Sequence, residues 1–226
     1  MSNTDTEQLT EFGITEMKYK YPRTPHLPWS PGATNDDVHQ KSTQVFVGKK
    51  VVITEKMDGE NTSIYRNDIH ARSLDSRFHS SRTWVKSLQA QIGYRIPEGW
   101  RICGENLYAR HAIAYDNLPA YFMGFSVWDE SNTCLSWNDT KTWLAELNIP
   151  TPKELFAGIW DEKLIRTLSI DTEHIEGYVV RLEEAFTFGD FKNSVAKWVR
   201  TNHVVTEKHW MHTNVVPNKM KGESHE

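Results

Sequence analysis

The chain is short of cysteine, of long apolar runs and of net positive charge, and each shortage removes a class of reading. Of its 226 residues only Cys103 and Cys134 are cysteines. Two thiols build no disulfide framework and supply too few ligands for a cysteine-rich zinc site, so a reducing cytoplasm is the simplest context. No apolar run approaches membrane-spanning length, and the first residues carry no apolar signal-peptide core. The formal net charge is −4. A basic field over the whole molecule is therefore missing, and any surface for a polyanion has to be a local patch. The most basic region begins at Lys192 and carries Lys197, Arg200, Lys208, Lys219 and Lys221, with His203, His209 and His212 among them. Internal repeats and low-complexity tracts are absent too.

What is present argues for one folded unit. Hydrophobic residues make up 38% and aromatics 12%, with nine tryptophans; such a chain can bury a core. Residues 1–16 are polar. Tyr19–Gly32 holds Pro22, Pro25, Pro28 and Pro31, a density that forbids helix or central strand and leaves an extended arm. The arm carries Arg23, His26 and Trp29, and reads either as a lid at a ligand's edge or as a strap across the core.

Strands are expected at Gln44–Val47 and Lys50–Lys56, then at Ser63–Arg66 and Ile69–Ser73 with a turn at Asn67-Asp68. From Ser76 to Ile92 the spacing of Trp84, Leu88 and Ile92 predicts a helix, with Val85 and Phe78 nearby. Further strands are expected at Gly99–Glu105 and Tyr121–Asp129. A helix capped by Asp139 or Thr140 should run to about Leu147, and Lys153–Leu168 reads as one or two short helices. Glu176–Leu182 and Ser194–Val199 close the series as strands. The pattern is α+β, with antiparallel sheets lining a cleft.

The densest chemistry lies in Ile53-Thr-Glu55-Lys56-Met-Asp58-Gly59-Glu-Asn61. A lysine at a strand end has a fixed stem, and Asp-Gly two residues on lets backbone approach closely. Such an amine becomes a nucleophile when neighbouring cations or desolvation keep it partly deprotonated. Lys-x-Asp-Gly by itself is expected by chance in about 5% of chains of this composition and length. Here it is followed, in order, by Ala71-Arg72-Ser73, Cys103-Gly104-Glu105-Asn106, Met123-Gly-Phe125-Ser-Val-Trp128-Asp129, Glu176-Gly177-Tyr-Val-Val-Arg181 and Ser194-Val-Ala-Lys197-Trp-Val-Arg200.

That collinear series resembles the motifs of the covalent nucleotidyltransferases, the ATP-dependent ligases and capping enzymes. With Asn61 five residues after the lysine, it is most similar to the RNA-ligase-2-like family. The resemblance covers roughly residues 45–200. It implies a ligase adenylylation domain, an α+β, ATP-grasp-like fold with antiparallel sheets flanked by helices around an ATP cleft. It further implies Lys56 as the nucleophile on the α-phosphate of ATP, and Arg72 and Lys197 as the cations beside it. Glu176 would be the carboxylate for Mg²⁺ or Mn²⁺, Glu105 the ribose contact, Glu55 the reader of the adenine amino group, and Asn61 a residue of the sealing step. Trp128 aligns with the aromatic that stacks on the purine; it reads equally as a core residue. Strand alternation would put Phe125 on the opposite face, so that only one of the two can stack.

Two departures accompany the resemblance. Relatives often place two lysines one residue apart in the last motif, whereas this chain has Lys197-Trp-Val-Arg200. Ligases of the superfamily also append an OB fold or a helical domain, and the 26 residues after Arg200 are too few for a five-stranded barrel. The expected organisation is a proline-rich arm at 1–43, the adenylylation domain at 44–200 and a basic, histidine-containing tail at 201–226. RNA, as a nicked duplex, would then be gripped by the tail, the arm or a repair partner protein. His209 and His212 read either as half of a metal site or as solvated, RNA-facing side chains. The expectation is an ATP-dependent RNA ligase; a minimal DNA ligase, a GTP-using capping enzyme and a non-catalytic nucleotide-binding module are the alternatives.

Overall fold

The computed structural model of the chain describes residues 17–75, 79–201 and 215–222. Residues 1–16, Phe78, His203, Lys208, His209 and His212, which figure in the expectations above, lie outside the described residues. In chain order the strands are β1 (Lys50–Lys56), β2 (Glu60–Tyr65), β3 (Ile69–Ala71), β4 (Arg101–Asn106), β5 (Phe122–Trp128), β6 (Thr133–Cys134), β7 (Glu154–Ile159), β8 (Gly177–Leu182), β9 (Phe186–Thr187) and β10 (Val195–Val199). The helices are α1 (Thr83–Ile92), α2 (Trp137–Glu146), α3 (Glu162–Arg166) and α4 (Phe191–Ser194). The strands form two antiparallel sheets, one in the order β10-β8-β1-β7 and the other β3-β2-β4-β5-β6-β9.

Most motif-bearing strands fall where their apolar runs predict. Four expectations do not hold. The helix expected from Ser76 begins only at Thr83, after a 3₁₀ turn at Ser80–Arg82 that His79 caps by accepting from Ser81 N–H. Gln44–Phe46 is a single 3₁₀ turn, not a strand, because Phe46 turns inward onto Trp160, at 4.9 Å between ring centroids, while Val47 is left exposed. The Lys153–Leu168 stretch opens as strand β7 and only then gives one short helix, α3. As an edge strand β7 is buried on neither face, so its sequence shows no alternation, but β1 supplies its hydrogen-bond partners. Helix α2 starts at Trp137, three residues earlier than a cap at Asp139 would set it. Its cap is Ser136, whose Oγ accepts from Asp139 N–H at 3.1 Å and donates to the Asp139 carboxylate at 2.6 Å, a reciprocal arrangement that uses Asp139 inside the first turn.

Three apolar clusters hold the sheets. One contains Ile53, Val180, Trp128, Phe191 and both cysteines; a second packs Ile64, Ile102 and Val127 against α1 and α2; a third, smaller, gathers Met57, Leu107, Leu118, Tyr121 and Met123. Each fully buried side chain of this size contributes about 1.5–3 kcal/mol through removal from water. The proline-rich arm runs along the outer edge of β10. Leu27 N–H donates to Lys197 O, Lys197 N–H to Pro25 O and Gly32 N–H to Val199 O, at 2.7–2.9 Å. The arm thus covers an otherwise open strand edge. It buries Leu27 in the first cluster, as a strap would, and lines the cleft with Lys20–Thr24, as a lid's edge would.

Candidate active site

The two sheets enclose a cavity of about 1100 Å³, large enough for a nucleotide with room beyond it. Lys56 ends β1 opposite Gly177 of β8, and that register brings Glu176 beside it. The Lys56 ammonium donates to Glu176 Oε2 at 2.6 Å. Two strands away from β1, Lys197 of β10 pairs with Val179 of β8, which on its other side pairs with Thr54. Directly opposed residues of antiparallel strands share a face, so Thr54, Val179 and Lys197 line the cavity together. From the second sheet, Asn61 and Glu105 sit directly opposite each other on β2 and β4 and line the same cavity. Arg72, just past β3, is exposed at its rim.

The glycines of two motifs explain the closeness. A Cβ on Gly177 would collide with Trp198 O, because β10 passes directly over it; only glycine lets Glu176 sit this near the lysine. A Cβ on Gly59 would meet Asn106 O and Leu107. The backbone that Gly59 admits is therefore the end of β4, and its N–H donates to Glu105 Oε1 at 3.2 Å.

The electrostatics differ from the expectation in one respect. The strongest charges around Lys56 are carboxylates, not cations. Burial by itself would pull the amine down, but Glu176, Glu105 and Asp58 outweigh it and hold the amine above its ordinary value. Lys197 shows the reverse: burial, then Lys56, pulls its amine down, and Arg72 adds to the effect, so the three cations share one neighbourhood. Glu105 is pushed up to about 8, chiefly by burial and further by Glu176 and Asp58, against the opposing pull of Lys56. Asp58 is raised by burial and by Glu176, although Ile113 N–H donates to it at 2.8 Å. Glu55 is raised by burial, partly offset by Lys153. Carboxylates crowded like this favour a hard cation among them, which is the donor set that Mg²⁺ or Mn²⁺ takes.

The Glu105 shift has a measurable consequence. A carboxyl with a raised folded-state pKa keeps a proton that the unfolded chain has already released. Its cost to stability is absent below about pH 4 and grows as pH rises to about 8. In metal-free buffer, the Tm of wild type is expected to fall between pH 5 and 9 by about 2–8 °C more than that of Glu105→Gln, the equivalent of ~1–2 kcal/mol in a chain of this size. Parallel Tm profiles for the two proteins would show that Glu105 titrates normally.

Trp128 does not face the cavity. It is fully buried, its Nε1 donates to Ser126 Oγ at 3.0 Å, and the Arg101 guanidinium lies 4.7 Å from its ring. It is a core residue, and no purine reaches it. Phe125 and Trp128 do lie on opposite faces, as alternation implies, and it is the position that aligns with the stacking aromatic that turns inward. Strand β5 is also bulged here, with Gly124 paired to Gly104 and Ser126 to Cys103, leaving Phe125 as the extra residue. Phe125 faces the cleft, where it lines the cavity with Tyr21 edge-on at 5.4 Å. Arg200 is not among the described residues lining the cavity; its backbone N–H donates to Glu176 O at 3.0 Å, tying β10 to the carboxylate motif. Sequence reasoning also passed over Tyr115 and His111, which reach Asp58 from a long irregular loop. Nothing in their local sequence marks them; only the topology brings them there.

A model of the RNA ligase family matches residues 49–199, from the start of β1 to the end of β10. The chain belongs to the RNA ligase family. Among solved structures it is similar to an archaeal ATP-dependent RNA ligase in two crystal forms. Form 1 has a TM-score of 0.59 at 16% identity, over 87% of this chain and 52% of that one; form 2 has 0.58 at 15% identity, with the same coverage. A Naegleria gruberi RNA ligase with pyrophosphate has a TM-score of 0.49 at 18% identity, over 70% of this chain and 52% of that one. At these identities the likeness is one of fold, and the chain spans about half the length of these relatives. No curated protein matches it. No helix among the described residues is long and apolar enough to cross a membrane.

Proposed function

We propose that this RNA ligase family member joins RNA ends with ATP, through a lysyl-AMP on Lys56. The observation that carries the reading is the Lys56–Glu176 pair at 2.6 Å, set in a nucleotide-sized cavity with Lys197 across β8. Lys56 Nζ attacks the α-phosphorus of ATP, the bond to the β-phosphate oxygen breaks, and pyrophosphate leaves. The AMP then passes to the 5′-phosphate of one RNA end, which restores the lysine amine. Last, the 3′-hydroxyl of the other end attacks that phosphate, and AMP leaves. Lys197 and Arg72 neutralise charge as it develops on the α-phosphate. Phe125 stacks on the adenine, Glu55 reads its amino edge and Glu105 meets the ribose. Glu176, with Asp58 nearby, would hold the divalent ion, whose chemistry is to offset triphosphate charge. The adenylylation domain spans 44–200, and the arm assigned to 1–43 contributes one wall of the cleft through residues between Lys20 and Val38.

Asn61 separates the sealing step from the first. It lines the cavity, and its buried Oδ1 has no hydrogen-bond partner among the described residues. A buried acceptor without a donor is costly unless a substrate supplies one. A 3′-terminal hydroxyl does so. Asn61→Ala is therefore expected to form lysyl-AMP within about threefold of the wild-type rate but to seal a nicked RNA duplex on the order of 100-fold more slowly, even when the strand is supplied already adenylylated. Single-turnover assays scored for adenylylated strand and sealed product make the measurement. Loss of lysyl-AMP formation in this variant would put Asn61 in the ATP pocket instead. The same assay with GTP, and with a nicked DNA duplex, tests the nucleotide and the polymer.

A further inference from the structure

The loop between β4 and β5, residues 107–121, has no regular secondary structure, a length at which loops in compact domains are usually built for a task. It grips the residues immediately after the nucleophile. Tyr115 Oη accepts from Asp58 N–H at 2.9 Å, Ile113 N–H donates to Asp58 Oδ2 at 2.8 Å, and Leu107 packs on Gly59. Met57, adjacent to Lys56, is buried in a small cluster with Leu107, Leu118 and Tyr121. The loop is itself held by a segment almost a hundred residues further along the chain. Arg110 N–H donates to Val216 O, Asn218 N–H to Tyr108 O, Leu118 N–H to Lys219 O, Lys219 N–H to Tyr115 O and Lys221 N–H to Leu118 O, at 2.8–3.0 Å. Met220 packs on the Met57 cluster.

Asn218 is the centre of this clip. It is 2% exposed, and both ends of its amide are used. Its Oδ1 accepts from Tyr115 N–H at 2.9 Å; its Nδ2 donates to Leu107 O at 2.8 Å and Ala109 O at 3.4 Å. Tyr121 Oη donates to Asn218 O at 3.0 Å. One side chain therefore spans the start and the middle of the loop, and the residue it fixes, Tyr115, is the one whose hydroxyl reaches the Lys-x-Asp-Gly backbone. Loop-borne groups are placed with the accuracy that attack on phosphorus requires only when their support is rigid.

We propose that the 215–222 segment, through Asn218 and Tyr115, sets the position of Lys56 for attack on the α-phosphate, making Asn218 a positioning residue for the first chemical step. This rests on the function proposed above. Asn218 is buried and does not line the cavity, and the last step does not use the Lys56 amine. The clip should therefore act on the maximal rate of lysyl-AMP formation, not on ATP binding or on sealing of adenylylated RNA.

The test uses the full chain in single-turnover assays with ATP and Mg²⁺, comparing wild type, Asn218→Ala, Tyr115→Phe and the double variant. Asn218→Ala is expected to lower the maximal rate of lysyl-AMP formation on the order of 10- to 100-fold, with half-saturating ATP within about twofold of wild type. Tyr115→Phe, which keeps the ring and loses only the hydroxyl, should lower it by roughly 3- to 10-fold, and the double variant should resemble Asn218→Ala rather than the product of the two. Sealing of pre-adenylylated RNA should stay within about twofold. An unchanged maximal rate in folded Asn218→Ala overturns the proposal, as does an equal loss in lysyl-AMP formation and in sealing. If Asn218→Ala does not fold, Tyr115→Phe decides: an unchanged maximal rate overturns it. Wild type that forms no lysyl-AMP, by contrast, removes the parent function itself.

Discussion

Lys56→Arg is expected to form no covalent AMP adduct, although it keeps the positive charge and much of the reach of the side chain. A guanidinium stays protonated at any working pH and has no lone pair to give phosphorus. Lys56→Ala should behave identically, and the pair of variants separates nucleophile from electrostatic anchor: an anchor role would leave Lys56→Arg partly active. The expected loss exceeds about 10³-fold, because no other described lysine occupies the position opposite Gly177. The surroundings make a further point about wild type. With three carboxylates holding the amine above its ordinary value, less than about one molecule in a thousand has a neutral Lys56 at pH 7 before ATP and metal enter. Lysyl-AMP formation is thus expected to accelerate as pH rises from 6 to 9, and the acceleration should disappear with the lysine.

Glu176→Ala carries the second large effect. Glu176 is the carboxylate nearest Lys56 and is 7% exposed. It is also one of the groups that raise the amine's pKa. Removing it therefore makes the nucleophile easier to deprotonate. If proton balance governed the rate, the variant would be faster at neutral pH. If Glu176 instead holds the divalent ion against the triphosphate, the rate should fall by roughly 10²–10³-fold, and neither higher pH nor more ATP should restore it. A large excess of Mn²⁺ should recover a small part. The fold should survive, since Lys56 still has Glu105 and Asp58 beside it. The readout is labelled AMP on denatured protein at matched Tm. Normal labelling in Glu176→Ala would assign the residue to ion pairing alone.

Much of the site was legible because its chemistry sits on ordered short motifs. Lys56, Glu105, Glu176 and Lys197 each occupy a strand or its end, and an apolar run marks that strand regardless of its partners. The sheets then bring the four together, as the collinear series implied. What sequence could not show is geometry that depends on a neighbour. Alternation shows that Phe125 and Trp128 face opposite ways but not which of them faces the cleft, and the bulge at Phe125 arises only from the pairing of β5 with β4. Strand β7 is visible only through its bonds to β1. Of the three carboxylates around Lys56, Asp58 is visible in the motif itself, but Glu105 and Glu176 lie 49 and 120 positions away, so no local window reports how acidic the surroundings are. Asn218 lies further still, and an isolated asparagine in a polar stretch carries no signal.

The most direct measurement is to incubate the wild-type chain with ATP labelled at the α-phosphate and with Mg²⁺, denature it, and map the label by peptide sequencing. The proposed chemistry requires an acid-labile AMP on the peptide that contains Lys56, released as free ATP when pyrophosphate is added before denaturation. No covalent label, or a label on another residue such as Lys197, would contradict it.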